Sequence, residues 1–320
     1  MRLASKLALL GLGLPSSTNA QQADLAVRNQ WFTGSLEASS PALSKAGALA
    51  IEPYFIFQSN TGTYDNHGHH VAGMDNISEV QSFVVLKYGI TNRLSVQALP
   101  SVGHVWNDLG SSDGIGFGDL PIELEYRFKN ENGRTGSPSI TGSFGIGLPT
   151  GGYDRLGSML GGFGSGVFTA KQGVVMETLF DTRGGHPVRA RLFGAIYEPL
   201  ASASVRDVSV YGSAAGFHGN GQPGVSGQIG FAAGYAFTRR WVIALDIVQN
   251  VAAPYRLYGV DVSGEPANSR GKERLSTALA PAIEYNWAAN AGLIFGVEAS
   301  VAGRNSASYV APQIAVALSF

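Results

Sequence analysis

The segment from Asp65 to His70 contains the side chains best suited to metal chemistry. It places Asp65, His67, His69 and His70 within six consecutive residues, and imidazole and carboxylate groups together suit zinc, nickel or copper. A glycine-flanked loop, however, offers no second layer of groups to orient the rings. We therefore regard His67, His69 and His70 as weak metal candidates beside the alternative of a solvated polar loop, and we expect no bound metal and no cofactor.

His104 and His218 are the candidates for the base of a hydrolase, in which a nucleophile must lie within hydrogen-bond reach. Neither has a serine and an acid nearby in a catalytic pattern, and the G-x-S-x-G turn is absent. The segment from Gly264 to Lys272 is not a phosphate-binding loop, because its glycine spacing is too long and Glu273 follows the lysine. We predict no catalytic residue, and an outer-membrane hydrolase is the least favoured alternative.

The composition excludes further classes of protein. The 320 residues are 44% hydrophobic and 14% charged, with a formal net charge of -1 and no cysteine. Nucleic-acid binding needs clustered Lys and Arg to neutralise phosphates, so no nucleic-acid partner is expected. The absence of cysteine rules out disulfide scaffolds, thiolate zinc sites and cysteine nucleophiles.

The N-terminal residues have the order of features typical of export. Basic residues at Arg2 and Lys6 precede the apolar run from Leu7 to Leu14, and small residues end at Ala20. This order predicts a signal peptide over residues 1–20. Residues 21–46 are expected to plug a lumen, to lie in the periplasm or to be disordered, and residues 47–320 to form the main domain.

Apolar residues recur with period two from Ala48 onward. In the clearest segment, Leu124 and every second residue on either side of it are apolar and share one face of the strand, whereas Glu123, Glu125 and Arg127 share the other. Side chains of a strand alternate between its two faces, so each such segment separates an apolar from a polar environment. About twelve segments have the length that crosses a bilayer when tilted, which predicts an all-β, transmembrane antiparallel β-barrel in the bacterial outer membrane.

The charges distinguish this barrel from a soluble β-sandwich, which also alternates. A Lys or Arg on a lipid-facing position costs about 2 to 4 kcal/mol at the bilayer midplane. No charged residue interrupts an apolar stripe, and Gln172 is the one polar interruption. The lumen-facing candidates are Glu52, Lys87, Glu123, Glu125, Arg127, Lys171, Glu177, Arg189, Arg191, Asp246, Glu284 and Glu298. Opposite charges are expected to pair near the periplasmic end, either as a constriction or only to stiffen the wall.

Connections between the segments alternate in length, as in outer-membrane barrels. We expect long outer connections at 59–76, 106–116, 150–164, 200–226 and 253–272, and short periplasmic turns between them. Aromatic residues beside the short turns, such as Tyr126 and Trp241, predict an interfacial girdle in contact with membrane lipid. Phe320 ends an alternating last strand and resembles the signal by which the barrel-assembly machinery recognises its substrates.

Several motifs carry a resemblance to a known family. They are GFGDLPIELEYRF from Gly116 to Phe128, GLPTG from Gly147 to Gly151, EPY from Glu52 to Tyr54 and APAIEY from Ala280 to Tyr285. The chain from 47 to 320 resembles the outer-membrane transporter family named for the phenol-degradation meta pathway. The resemblance implies a barrel that helps small hydrophobic or aromatic compounds cross the outer membrane. The alternative is a structural or loop-displaying barrel without transport, and the substrate and oligomeric state stay open.

Overall fold

A computed structural model describes residues 30–38, 43–73, 76–132, 136–180, 182 and 186–320. The predicted signal peptide lies outside these residues. Twelve long strands follow one another along the chain. They are β1 (Leu49–Tyr64), β2 (Ser78–Thr91), β3 (Leu94–Ala98 and Ser101–Asn107), β4 (Leu120–Lys129), β5 (Ser139–Leu148), β6 (Thr169–Phe180), β7 (Val188–Pro199), β8 (Ser226–Ala236), β9 (Trp241–Ala252), β10 (Arg274–Ala288), β11 (Ala291–Arg304) and β12 (Ser306–Ser319).

The twelve strands form one closed antiparallel barrel. Each strand pairs with its neighbours in sequence. The first strand, β1, closes the barrel because it pairs with β2 on one side, where Leu49 lies opposite Tyr88, and with β12 on the other, where Ala50 lies opposite Ser319. Closure leaves no row of unpaired backbone N–H and C=O groups, which hydrocarbon could not satisfy. The predicted transmembrane barrel of about twelve strands is confirmed.

The two faces of the wall differ as the alternation predicts. In β4, Leu124 is 48% exposed and faces outward, whereas the adjacent Glu125 is 3% exposed and faces the lumen. The outward Gln172 is exposed on β6. Aromatic side chains are exposed on the outer surface beside the short turns, among them Tyr88, Tyr126, Phe128, Phe180, Tyr235, Phe237, Trp241 and Trp287. The barrel therefore has an apolar outer surface with aromatic residues at this rim.

The last outer connection departs from the predicted alternation. Only Asn305 separates β11 from β12, whereas the other five outer connections are long. Asn305 has a φ of 49°, a left-handed conformation that asparagine tolerates well. Its Nδ2 donates to the Glu273 carbonyl oxygen at 3.0 Å. A single residue thus closes this turn without the glycine or long loop that sequence reasoning looks for.

The outer loops build a second, smaller sheet that the alternation did not predict. Its four strands are Ala203–Arg206, His218–Gln222, Arg256–Val260 and Ser269–Arg270, from the β7–β8 and β9–β10 connections. Buried side chains of Val205, Tyr211, Phe217 and Leu257 form its core. Shorter elements of the outer loops are the strands His70–Ala72, Gly110–Ser111 and Gly116–Phe117 and the 3-10 helix Met159–Gly161. Within the described residues, no helix is long and apolar enough to span a membrane.

Closure of the barrel predicts heat-dependent migration in detergent gels. Unboiled protein should migrate differently from boiled protein and give a β-type circular dichroism spectrum, because all strand edges are paired and the barrel opens only on heating. Recovery of a soluble monomer without detergent would contradict the transmembrane barrel.

Candidate functional site

The charged residues predicted to face the lumen are almost completely buried. Eleven of the twelve are at most 6% exposed, and the Glu177 side chain is 12% exposed. Four ion pairs join eight of them across neighbouring or nearby strands. These are Lys87–Glu125, Lys171–Glu123 and Arg189–Glu284, each with a nitrogen–oxygen distance of 2.6 Å, and Arg191–Glu177. Pairing offsets the desolvation of charges that a narrow lumen would otherwise leave isolated.

Residues 30–38, here called the lumenal segment, lie inside the barrel. Phe32 is 3% exposed and Leu36 is 2% exposed. At the periplasmic end, Gln30 Nε2 donates to the Arg239 carbonyl oxygen at 3.1 Å, and the Arg239 guanidinium lies 4.1 Å from the Trp31 ring centre. The segment therefore runs inward from the turn between β8 and β9. Residues 21–29 and 39–42 lie outside the described residues.

The Arg189–Glu284 pair holds the lumenal segment through both of its members. Glu284 Oε2 accepts the backbone N–H groups of Thr33 at 2.7 Å and of Gly34 at 3.3 Å. Arg189 Nη2 donates to the Gly34 carbonyl oxygen at 2.6 Å. The guanidinium also lies 4.5 Å from the centre of the Phe32 ring. Charge-assisted bonds of this kind are stronger than those between neutral groups, so the wall supplies the partners that an inserted backbone needs.

Asp246 and Glu298 hold the other end of the segment. Asp246 Oδ2 accepts the Glu37 N–H at 2.8 Å and also the Ser35 hydroxyl. The Glu37 and Glu298 carboxyl groups hydrogen-bond to each other, while Tyr309 Oη donates to Glu298 Oε1 at 2.5 Å. Wall side chains therefore hold this end of the segment as well, and the Glu37 carboxyl also accepts from Gln313 Nε2 at 3.1 Å.

Two glycines of β11 allow the segment to approach the wall. A Cβ at Gly292 would lie 2.1 Å from Thr33 Oγ1, and one at Gly296 would lie 2.4 Å from Leu36 Cδ1. Either contact is far below van der Waals separation, so a side chain here would displace the segment. Sequence reasoning missed these two positions, because a strand glycine does not reveal what lies against it.

Other wall glycines accommodate neighbouring side chains of the barrel itself. A Cβ at Gly230 would meet the Phe193 ring at 2.2 Å, and one at Gly145 would meet Glu123 Cγ at 2.7 Å. Gly142 adjoins the outward-facing Phe128 ring. These glycines give room to the wall's own side chains rather than to open space.

A cavity of about 200 Å³ occupies the outer part of the lumen. Rings and apolar side chains from Phe163, Tyr197, Val210, Tyr211 and Tyr255 line it, together with several prolines and glycines. Phe163, Tyr211 and Tyr255 come from the long outer loops, and Tyr197 comes from β7. The cavity is therefore mainly apolar, as small-molecule sites usually are, with a few polar groups in its walls.

Asp119 ties the loops over this cavity to the barrel. Its carboxylate accepts the N–H of Gly151 at 3.0 Å and both the N–H and the hydroxyl of Ser165, at 2.8 and 2.6 Å. Tyr211 Oη donates to the Ser165 carbonyl oxygen at 2.5 Å. Burial, with smaller contributions from Asp119 and Tyr153, raises the pKa of Tyr211, so the phenol keeps the proton that it donates.

The histidines of the first outer loop surround a turn. The backbone N–H groups of His67 and His69 donate to Asp65 Oδ1 at 2.7 and 2.9 Å. The hydrogen bond from His69, and then that from His67, lowers the pKa of Asp65. His67, His69 and His70 are all exposed. In the part of the chain that the structure describes, no three His, Cys, Asp or Glu side chains form a group that could hold a metal.

The structure brings His104 close to a serine that the sequence pattern did not indicate. Ser112 Oγ lies 2.8 Å from His104 Nδ1. Ser112 is only 4% exposed, and its hydroxyl donates to the Gly114 carbonyl oxygen at 2.9 Å. The pair therefore holds the outer loop together rather than presenting a nucleophile to a substrate.

Comparisons with known proteins reveal the fold but no sequence family. No protein-family model matches the chain, and no curated protein matches it in sequence. An outer-membrane channel from Pseudomonas putida is similar in structure, with a TM-score of 0.63 and 15% identity over 86% of this chain and 96% of that one. The transport unit of the autotransporter AIDA-I from Escherichia coli gives a TM-score of 0.46 with 10% identity, over 85% of this chain and 90% of that one. The TodX monoaromatic hydrocarbon channel gives 0.41 with 11% identity, over 95% of each chain. Fold and site define a membrane-embedded β-barrel whose lumen contains residues 30–38.

Removing the two arginines that hold the segment should open the lumen. We expect the double variant Arg189→Ala, Arg191→Ala to show a severalfold higher single-channel conductance in planar bilayers, because Gly34 and Ala38 lose their charged partners. Arg304→Ala is the control, since Arg304 pairs with Glu273 at the exposed outer rim. Unchanged conductance and ion selectivity in the double variant would leave these pairs only a stiffening role.

Proposed function

We propose that the protein is a channel of the bacterial outer membrane for small hydrophobic or aromatic compounds. The observation that carries the proposal is the outer cavity, whose walls include the rings of Phe163, Tyr197, Tyr211 and Tyr255. Rings bind other rings and apolar molecules by burial and stacking. The similar architecture of the Pseudomonas putida outer-membrane channel supports a channel-type barrel.

The state of the lumen argues against bulk passage of hydrophilic solutes. Eight wall charges are paired with one another, and the Arg189–Glu284 pair also binds the lumenal segment. Phe32 and Leu36 occupy the periplasmic part of the lumen. An apolar molecule in the outer cavity therefore has to displace or pass this segment, whereas ions find few exposed charges along the way.

The outer surface supports the proposed location and partners. Exposed apolar residues on the wall would contact membrane lipid, and no nucleic-acid partner is proposed. Phe320 is 71% exposed, and its backbone pairs with Leu49, donating to the Leu49 oxygen at 2.9 Å where the barrel closes. Its free aromatic ring at this seam suits recognition by the barrel-assembly machinery. The motifs that resemble the phenol-degradation meta-pathway transporters agree with this function, and we propose no enzymatic role.

Filling the outer cavity should block uptake without affecting the barrel. Ala252 of β9 is 3% exposed and lines the cavity, so Ala252→Trp should slow growth on a limiting apolar aromatic substrate while sugar uptake stays normal. Ala233→Trp adds the same bulk to the outward face of β8 and serves as the control. Both variants should retain heat-dependent migration. Unchanged entry of a panel of apolar compounds in Ala252→Trp cells, and in cells lacking the protein, would favour the structural or loop-displaying barrel.

A further inference from the structure

We propose that the outer cavity selects neutral aromatic molecules that carry a hydroxyl or carbonyl group over hydrocarbons of the same shape, and that Tyr197 and Gln81 make this selection. The inference rests on the proposed function and adds the class of molecule that the channel prefers. It follows from which polar groups of the cavity already have partners and which do not.

The charged groups of the cavity wall are engaged within the protein. Lys171 Nζ lies 2.6 Å from Glu123 Oε1, and Gln97 Nε2 donates to Glu123 Oε2 at 3.0 Å. The Asp119 carboxylate already accepts the hydrogen bonds from the outer loops described above, and Arg274 interacts with other groups of the chain. These residues position the wall, and a ligand that used them would have to break existing bonds.

Two uncharged polar groups of the same cavity lack such partners. Tyr197 Oη and Gln81 Oε1 are both buried, and neither has a hydrogen-bond partner among the described residues. A buried polar atom without a partner is costly, so it is satisfied either by water or by a ligand. A molecule that enters this cavity displaces water, so it binds weakly unless it replaces the hydrogen bonds that the water made to these two groups.

The two groups lie on opposite sides of an apolar space. Gln81 belongs to β2 and Tyr197 to β7, five strands further around a twelve-strand barrel. Beside Gln81, the Phe163 ring packs over the backbone of its strand partner Gly103, where a Cβ would lie 2.7 Å from Phe163 Cε1. An aromatic body can lie between these groups while its substituents reach Gln81 or Tyr197.

The chemistry of the two groups defines the ligand. A tyrosine hydroxyl can donate or accept, whereas the glutamine amide oxygen only accepts. A ligand hydroxyl can therefore bond to either group, and a ligand carbonyl can accept from Tyr197. A hydrocarbon satisfies neither, and sites built to hydrogen-bond a substituent discriminate strongly against analogues that lack it.

The test compares benzyl alcohol with ethylbenzene, which have nearly the same shape but differ in the hydroxyl group. Binding to the purified full-length protein in detergent is measured by saturation-transfer NMR, with Ala252→Trp correcting for partition into detergent. We expect the native barrel to bind benzyl alcohol severalfold more tightly than ethylbenzene. Tyr197→Phe and Gln81→Met should each reduce the ratio of the two affinities severalfold, because each variant weakens the binding of benzyl alcohol and leaves that of ethylbenzene unchanged.

Tyr258→Phe is the matched control, because Tyr258 lies in the outer sheet, where its hydroxyl donates to Ser202 Oγ at 3.4 Å. Heat-dependent migration checks that each variant is folded. Equal affinity of the native protein for the two molecules overturns the selection, and so does an affinity ratio that is unchanged in both cavity variants. Either result is compatible with a channel for apolar molecules. Binding of neither molecule, together with unimpaired growth of Ala252→Trp cells, instead overturns the proposed function.

Discussion

Closure of a polar-lined sheet in lipid is the constraint on which the rest of this structure depends. A closed barrel satisfies its own backbone, but it sends every second side chain into a narrow interior. Charges cannot face the hydrocarbon, so they collect in the lumen and must find partners there. The buried Lys87–Glu125 and Lys171–Glu123 pairs are the direct result.

The lumenal segment uses the same charges a second time. An extended chain inside a barrel brings backbone N–H and C=O groups that need partners. Glu284 accepts two of those N–H groups and Arg189 donates to a carbonyl oxygen while the two side chains remain bonded to each other. The glycines at 292 and 296 supply the space for this contact. Segment and wall are thus stabilised by a single network at the periplasmic end.

The two ends of the lumen are consequently different in character. The periplasmic part is filled by the segment and its ion pairs, whereas the outer part keeps an apolar cavity beneath loops that have a small core of their own. Asp119 links the outer loops to the barrel, so the loops that cover the cavity are hydrogen-bonded to its wall. A molecule in the outer cavity contacts aromatic rings, and the charged groups of the same wall are already bonded within the protein.

The amino-acid sequence by itself determined the class of fold, the number of strands and which side chains share a face, because a period of two allows only one inward set in each strand. Tertiary structure alone decided which charges pair. Lys87 lies in register with Gln97 and, one strand further, with Glu123, yet it bonds to Glu125, while Glu123 bonds to Lys171. It also decided the position of residues 30–38, the one-residue turn at Asn305 and the outer sheet. Periodicity describes each strand separately, whereas these features depend on strand stagger, on closure and on contacts between residues far apart in the chain.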